Sequence, residues 1–448
     1  MTTPDNDVLN LLGDLIGMAC KAGADAADAV AVNSTSLSVS CRLGRPEDLE
    51  RSESRDIGLR VFIGRSQAIV SSSDDSPGAR NAMVERAIAM ARLTPEDPFC
   101  GLAPAERLAR DLPDLDLNDP MEPDSETLIA MALKAEEAGR AVRGVTNSEG
   151  ADAAWSRHGI ALATSHGFAG TYAGSSFSLS ASMIAGRDTG MERDYDFTSA
   201  RHFADLCAAE EIGATAGERA VARLNPRKMP SCTVPVIFDR RVSASLLGHF
   251  SGAINGSAVA RGTSFLKNAM DQPVFSPAVT IIDDPHRLRG LRSKPFDGEG
   301  VANQPLELVK NGILGSWLLD STAARQLNLQ TNGRAGRGTG SPPSPAPTNL
   351  YMQAGNLPLK ALLADIASGF YVTELIGMGV NGVTGDYSRG ASGFWIENGE
   401  IAFPVSGMTI AGNLKDMFRH MTPADDLEFR YGTNAPTLRI DGMTVAGD

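Results

Sequence analysis

The chain has 448 residues, of which 42% are hydrophobic and 21% charged, and this length allows two or three domains of ordinary globular composition. No segment approaches the roughly 18 consecutive apolar residues that a membrane-spanning helix needs, so we expect no membrane partner. A net charge of −13 at pH 7 opposes adsorption to the phosphates of nucleic acid, so we expect no nucleic-acid partner either.

The beginning of the chain bears on its location. The first residues, MTTPDNDV, carry acidic side chains where a secretory signal carries lysine or arginine. No apolar segment with a small-residue cleavage site follows them. The sequence therefore predicts a cytoplasmic protein.

Residues 1–95 are predicted to form one unit of helices and strands. Apolar residues recur at helical spacing over residues 7–21 and again over residues 79–93. Short alternating runs over residues 29–72 predict an antiparallel meander between the two helices. Residues 96–123 then hold five prolines among acidic side chains, a composition that resists regular structure and predicts a linker.

Residues 124–228 are predicted to form a central unit with the same ingredients. A helix capped by Asp124 or Ser125 is expected to run to about residue 142. Alternating segments rich in small residues predict strands over residues 153–183, and a second helix is expected over residues 202–224.

Residues 229–448 are predicted to form a strand-rich C-terminal domain. A strand at 233–239 leads into a helix expected from 240 to about 258, and Asn-Gly pairs at 311–312 and 398–399 predict β-hairpins. The Gly- and Pro-rich segment 331–349 predicts a long exposed loop, and the sequence leaves open whether it closes over a ligand. The chain is therefore expected to be α+β, with helix-flanked antiparallel or mixed sheets before the C-terminal domain.

Local signatures of a metal, phosphate or nucleophile site are missing from the sequence. The six histidines form no HxH, HxxH or HxxxH pair, and the five cysteines form no CxxC pair. Two Gly-rich runs, over 333–340 and 379–393, lack the strand-to-helix context of a phosphate-binding loop, and no GxSxG elbow occurs. We therefore expect no cofactor in this chain, and a serine or cysteine hydrolase is disfavoured.

Four ordered blocks near the C-terminus carry a family resemblance. They read TNLYMQAG, FYVTELIGMGVNGVTGDYSRGASGFWIENGEI, FPVSGMTIAGNLKDMF and APTLRIDGMTVAGD. Their succession is similar to the C-terminal domain of the TldD/PmbA family of cytoplasmic metalloproteases (peptidase U62 type), and the likeness extends over essentially the whole chain. The resemblance implies two branches: TldD subunits bind zinc through HExxxH and a later cysteine, whereas PmbA subunits, also called TldE, resemble noncatalytic partners.

This chain departs from the zinc-binding branch at each of these ligand positions. Where that branch places the first His, the Glu and the second His, the chain has Gly248, His249 and Ala253. Residues 429–436 read FRYGTNAP, without a cysteine. Catalytic zinc requires three protein ligands and an open position for water. The resemblance therefore implies no catalytic or metal-binding residue in this chain, and zinc is expected in the TldD-type partner.

Three functions follow from the resemblance as hypotheses. The first is a PmbA/TldE-like subunit of a heterodimeric cytoplasmic metalloprotease that degrades or processes unfolded peptides, with a TldD-type subunit as its partner. The second is a regulatory or peptide-binding homodimer without protease function, which includes the family's older label as a modulator of DNA gyrase. The third, a peptidase active by itself, requires zinc ligands that the sequence does not show.

Two further sets of polar residues remain as candidates. Four that lie in a predicted loop are candidate contacts to a peptide or to the partner subunit, or else stabilise a turn: Asn381, Asp386, Tyr387 and Arg389. Four acidic residues could form a carboxylate pair, but sequence spacing cannot show that they converge and we assign them no role: Asp283, Asp284, Asp297 and Glu299.

Overall fold

Six antiparallel strands from both predicted N-terminal units form a single sheet. The structure, a computed structural model, describes residues 4–447. The strands are β1 (Ala26–Arg42), β2 (Arg45–Ile63), β3 (Ser66–Ser72), β4 (Val145–Thr164), β5 (Ala169–Ala185) and β6 (Glu192–Ala200). Their order is β3-β2-β1-β4-β5-β6, so β1 and β4, on either side of the proline-rich segment 96–123, are hydrogen-bonded neighbours.

Four helices cover one face of this sheet. They are α1 (Pro4–Lys21), α2 (Pro77–Leu93), α3 (Ser125–Ala141) and α4 (Ala209–Ala222). Successive side chains of a strand point to opposite faces, and alternate apolar residues of β1 face the helices. Ala27 and Ala29 pack in the core beneath α1 and α2, whereas Leu37 and Val39 pack in the core beneath α3 and α4.

The C-terminal domain is built mainly from short and medium strands. Its helices are α5 (Arg240–Ala253), α6 (Gly256–Ala260), α7 (Ser321–Gln326), α8 (Leu359–Leu363) and α9 (Leu414–Arg419). Its strands are β7 (Cys232–Phe238), β8 (Ile281–Asp284), β9 (Leu306–Lys310), β10 (Ile313–Leu314), β11 (Ala335–Gly336), β12 (Ser344–Pro345), β13 (Asn349–Met352), β14 (Ser368–Ile376), β15 (Asp386–Glu397), β16 (Glu400–Asn413), β17 (Met421–Pro423), β18 (Thr433–Asn434) and β19 (Leu438–Ala446).

The largest sheet of this domain closes on itself. Its order is β16-β15-β14-β7-β19-β17, and β19 pairs in addition with β16, so five of the six strands form a closed ring. A second sheet has the order β10-β9-β8-β13-β18, and β11 and β12 pair with each other. One extended apolar core joins the two larger sheets and α5. The chain is thus of the α+β class.

The local predictions have mixed outcomes. The helices predicted over 7–21, 79–93 and 124–142 are confirmed as α1, α2 and α3. Both Asn-Gly hairpins are confirmed, because Asn311-Gly312 and Asn398-Gly399 adopt positive φ values at all four residues.

Two helix predictions are wrong in extent. A 3₁₀ turn at Phe203–Asp205 stands where the second helix of the central unit was expected to begin, and α4 starts only at Ala209. The helix expected over 240–258 breaks after Ala253. It breaks there because the Asn255 side chain accepts hydrogen bonds from the backbone N–H groups of Ser257 and Ala258 and so caps a new helix, α6.

The prediction of a long exposed loop at 331–349 is also wrong. Several of its residues are buried, and Arg334 has no exposed surface. The segment packs on the face of the first sheet opposite its helices, where Arg337 Nη2 lies 2.7 Å from Asp28 Oδ1. Gly58 of β2 allows this close approach, since a Cβ added there would lie 2.1 Å from the carbonyl oxygen of Thr339.

Among the described residues, no helix is long and apolar enough to cross a bilayer.

Candidate functional site

Helix α5 carries the three positions that correspond to the zinc motif of the TldD branch. The helix begins at Arg240, where the side chain of the preceding Asp239 accepts a hydrogen bond from the backbone N–H of Arg241. Gly248 is exposed, His249 is half-buried and Ala253 is buried. Of the three, only His249 has a side chain with a donor or acceptor atom.

Strand β15 brings two of the predicted contact residues to His249. Tyr387 and Arg389 are two residues apart, so they project from the same face of the strand. The rings of His249 and Tyr387 meet edge to face, with centroids 5.9 Å apart and planes at 76°. Tyr387 is 2% exposed and Arg389 is half-buried. The structure therefore joins three of the residues singled out in the sequence into one cluster.

This cluster, formed by His249, Tyr387 and Arg389, contains orphaned polar atoms. Nε2 of His249, the hydroxyl of Tyr387 and Nε of Arg389 are all buried, and none of them makes a hydrogen bond of good geometry to a described residue. Buried polar groups are normally hydrogen-bonded, and exceptions concentrate where a ligand, water or partner acts. The cluster is therefore the best candidate for a functional site on α5.

The electrostatics of the cluster keep His249 neutral. Burial, and secondly the positive charge of Arg389, lower the pKa of His249 below its ordinary value. Burial raises the pKa of Tyr387, and Arg389 opposes that rise. At neutral pH the cluster thus presents a neutral imidazole, a neutral phenol and one guanidinium cation.

The donor set of this cluster does not fit catalytic zinc. Zinc sites use three ligands drawn from His, Cys and carboxylate side chains. Here one imidazole is available, and the fixed charge of Arg389 beside it repels a divalent cation. Hydrogen bonding to a peptide group or an anion is the chemistry that these three side chains can provide.

The other two predicted contact residues are exposed and flank the turn that precedes β15: Asn381 lies before it, and Asp386 is the first residue of the strand. Oδ1 of Asn381 accepts hydrogen bonds from the backbone N–H groups of Val383 and Thr384. The carboxylate of Asp386 accepts from Thr384 Oγ1 at 2.6 Å and from Asn413 Nδ2 at 3.0 Å, and these bonds lower its pKa. Both side chains thus stabilise the turn, and a contact to a peptide or partner remains a prediction for them.

The four acidic residues left without a role lie elsewhere in the C-terminal domain. Asp283 forms a buried ion pair with Arg334. Oδ1 of Asp297 accepts from the backbone N–H groups of Glu299 and Val301, while burial and the nearby Glu299 raise the pKa of Asp297. Asp284 caps a turn by accepting from the N–H of His286. These contacts hold loops in place.

Sequence reasoning did not foresee that Tyr387 and Arg389 meet His249. The available signal was the two-residue spacing of Tyr387 and Arg389, which places both on one face if the segment is a strand. Instead, the sequence predicted a loop here, because glycines surround Tyr387 and Arg389.

Comparison with known proteins assigns the chain to a class. The models of the PmbA/TldA metallopeptidase family match it in three consecutive parts: domain 1 over residues 27–91, the central domain over 118–224 and the C-terminal domain over 231–447. The fold and this three-part match define a protein of a metallopeptidase family.

Individual relatives narrow the assignment. The metalloprotease PmbA of Escherichia coli O157:H7 is 40% identical over 426 residues, which cover 94% of this chain and 92% of that protein. A Bacteroides thetaiotaomicron structure, described as a candidate modulator of DNA gyrase, is 25% identical with a TM-score of 0.91 and covers 100% of both chains. TldE from Thermococcus kodakarensis has the same fold, with a TM-score of 0.86 at 20% identity over 98% of this chain and 100% of that chain. The chain belongs to the PmbA/TldD family.

Proposed function

We propose that this chain is a noncatalytic PmbA/TldE-type subunit that pairs with a TldD-type metalloprotease in the cytoplasm. The pair degrades or processes unfolded peptides. Zinc and the general base belong to the partner, and this chain supplies part of the wall that surrounds an extended peptide.

One observation carries the proposal. The helix that would present the zinc motif offers only His249, and the guanidinium of Arg389 lies close enough to lower the pKa of that imidazole. A cation in this place opposes metal binding, and no glutamate stands at the motif to activate a metal-bound water. The 40% identity to a protein named metalloprotease PmbA supports the family to which this role is assigned.

The orphaned donors of the site also support a contact role. Tyr387 offers a hydroxyl and Arg389 an N–H group, and neither makes a hydrogen bond of good geometry to another described residue. A peptide backbone presents carbonyl oxygens along its whole length, and binding through those oxygens gives broad specificity because the side chains matter little.

The test is a peptidase assay on an unstructured peptide, with zinc measured in each sample. The chain alone, a TldD-type subunit alone and an equimolar mixture are compared. Strong activity in the mixture, with zinc bound only to the partner, is the expected result. Chelator-sensitive activity with about one zinc per chain in the isolated protein would overturn the proposal.

Two matched variants sharpen this assay. A partner whose motif glutamate is replaced by glutamine should abolish activity in the mixture, because that group acts as the base. His249→Ala in this chain should leave the zinc content of the mixture unchanged. Loss of zinc in the His249→Ala mixture would show that this imidazole is a ligand after all.

The same samples test the regulatory alternative, which the description of the Bacteroides protein favours. A stable homodimer that gains no activity and forms no complex with a TldD-type subunit would support that alternative and contradict the proposed pairing.

A further inference from the structure

A surface cleft of about 460 Å³ lies beside the turn that follows Asn381. Its apolar lining includes Phe265, Val274 and Val383. The turn and the opposite wall are tied together, because the backbone N–H of Phe265 donates to the carbonyl oxygen of Gly382 at 3.0 Å. The cleft is thus a preformed feature of the C-terminal domain.

Three cations line the cleft, and they are Lys267, Lys415 and Arg419. No carboxylate lines it among the described residues, and none of the three cations forms an ion pair with one there. Within residues 4–447, the one hydrogen bond that the side chain of Lys267 donates is to the carbonyl oxygen of Gly262. The charge of Lys415 helps to lower the pKa of Asp386. The oxygens of that carboxylate, however, already accept hydrogen bonds from Thr384 and Asn413. In a chain of net charge −13, this is a local positive surface.

The connection between β14 and β15 contributes Val383 to the cleft and carries further exposed apolar side chains. Ile376 is 59% exposed, Met378 is 86% exposed and Val383 is 55% exposed, all within the connection between β14 and β15 or at its border. A group of exposed apolar residues next to a polar rim is typical of a protein interaction surface.

We propose that this cleft docks a segment of the TldD-type partner in which an apolar side chain is flanked by carboxylates, an inference that rests on the proposed function. The apolar side chain enters between Phe265 and Val383, and the carboxylates meet Lys415 and Arg419. A free anion would leave the apolar side chains of Phe265 and Val383 uncovered, and the net charge of −13 opposes nucleic acid.

The position of the cleft fits this occupant. The connection that forms its lip leads directly into β15, whose Tyr387 and Arg389 lie at His249. The connection also pairs with the start of β15, because the backbone N–H of Ser388 donates to the carbonyl oxygen of Gly379 at 2.7 Å. A partner that covers this connection therefore lies close to the strand that carries Tyr387 and Arg389.

The experiment is equilibrium and kinetic binding of a full-length TldD-type subunit to the intact chain at low and moderate salt. The double variant Lys415→Glu with Arg419→Glu should slow association about tenfold and flatten its salt dependence, because charges at the rim of an interface act mainly on the encounter rate. Lys360→Glu is the matched control, since Lys360 is equally an exposed lysine on a short helix, α8, outside the cleft. It should bind as the wild type does.

A second pair of variants tests the apolar part. Met378→Asp should weaken binding, whereas Leu93→Asp should not, although both residues are 86% exposed. All five substitutions in these four variants are at exposed positions, and thermal melting of each variant establishes that the fold is retained.

The results of these binding experiments distinguish a failure of the docking inference from a failure of the proposed function. If the wild type binds the TldD-type subunit and the cleft variants bind equally well, the docking site is wrong while the pairing stands. If the wild type does not bind the subunit, both are wrong. If the cleft variants lose only self-association, the cleft is a surface between two copies of this chain, and the inference is overturned.

Discussion

At the scale of single residues, His249 is held in its neutral form. Burial and Arg389 lower its pKa, so the folded chain resists protonation at a pH where the unfolded chain accepts a proton. The stability that neutral His249 contributes is present above the ordinary histidine pKa of about 6.5 and is lost as the pH falls through the folded value.

Arg389→Met should raise the pKa of His249 toward its ordinary value, because the substitution removes the neighbouring positive charge and keeps a long side chain. An NMR titration of the histidine ring protons measures this. His158 is the internal control, since its pKa is lowered by burial and by Arg201 and should not move. An unchanged His249 would mean that burial alone sets its pKa.

At the scale of helices and strands, the sequence predicted those elements whose positions depend on residues close together in the chain. The period of apolar residues located α1 and α2, and the Asn-Gly pairs located two hairpins whose turns require positive φ. The break after Ala253 was missed, because it depends on the capping side chain of Asn255 rather than on periodicity.

The burial of segment 331–349 and the assembly of the candidate site depend on contacts between residues far apart in the chain, and the sequence did not predict them. Glycine and proline in 331–349 indicate an irregular backbone, but they do not show whether that backbone lies in solvent or against another surface. Likewise, the meeting of His249 with Tyr387 joins residues more than a hundred positions apart, and no sequence spacing encodes it.

Gly58→Ala should destabilise the chain by about 1–3 kcal/mol, since the added methyl group overpacks against the backbone of Thr339 and moves segment 331–349. Urea unfolding measures the change. Gly159→Ala in β4 is the control, because a Cβ there would have no heavy atom within 4 Å. Equal stability of the two variants would mean that the segment adapts without cost.

At the scale of the whole molecule, segment 331–349 fastens the C-terminal domain to the first sheet. Arg334 pairs with Asp283 inside the C-terminal domain, and Arg337 reaches Asp28 of β1. Asp28 is also bonded by Arg60, its direct cross-strand neighbour on β2. One carboxylate thus lies between two cations, one from each part of the molecule.

The two arginines should differ in their importance for stability. Arg60 donates to Asp28 from both Nε and Nη2, at 3.0 and 2.5 Å, whereas the nitrogens of Arg337 make no hydrogen bond of good geometry. Breaking a buried pair costs about 3–5 kcal/mol. We therefore expect Arg60→Met to destabilise the chain by at least about 1 kcal/mol more than Arg337→Met in chemical denaturation. Equal losses of stability in the two variants would mean that Arg337 contributes as much as Arg60 to the buried ion pairs of Asp28.

The buried carboxyl group of Asp297 has a consequence for the heat of unfolding. Because burial and Glu299 raise its pKa, the folded chain retains a proton on this group at a pH where the unfolded chain has lost it. Unfolding therefore releases a fraction of a proton to the solvent. The measured enthalpy of unfolding then includes the heat of ionisation of whichever buffer accepts that proton.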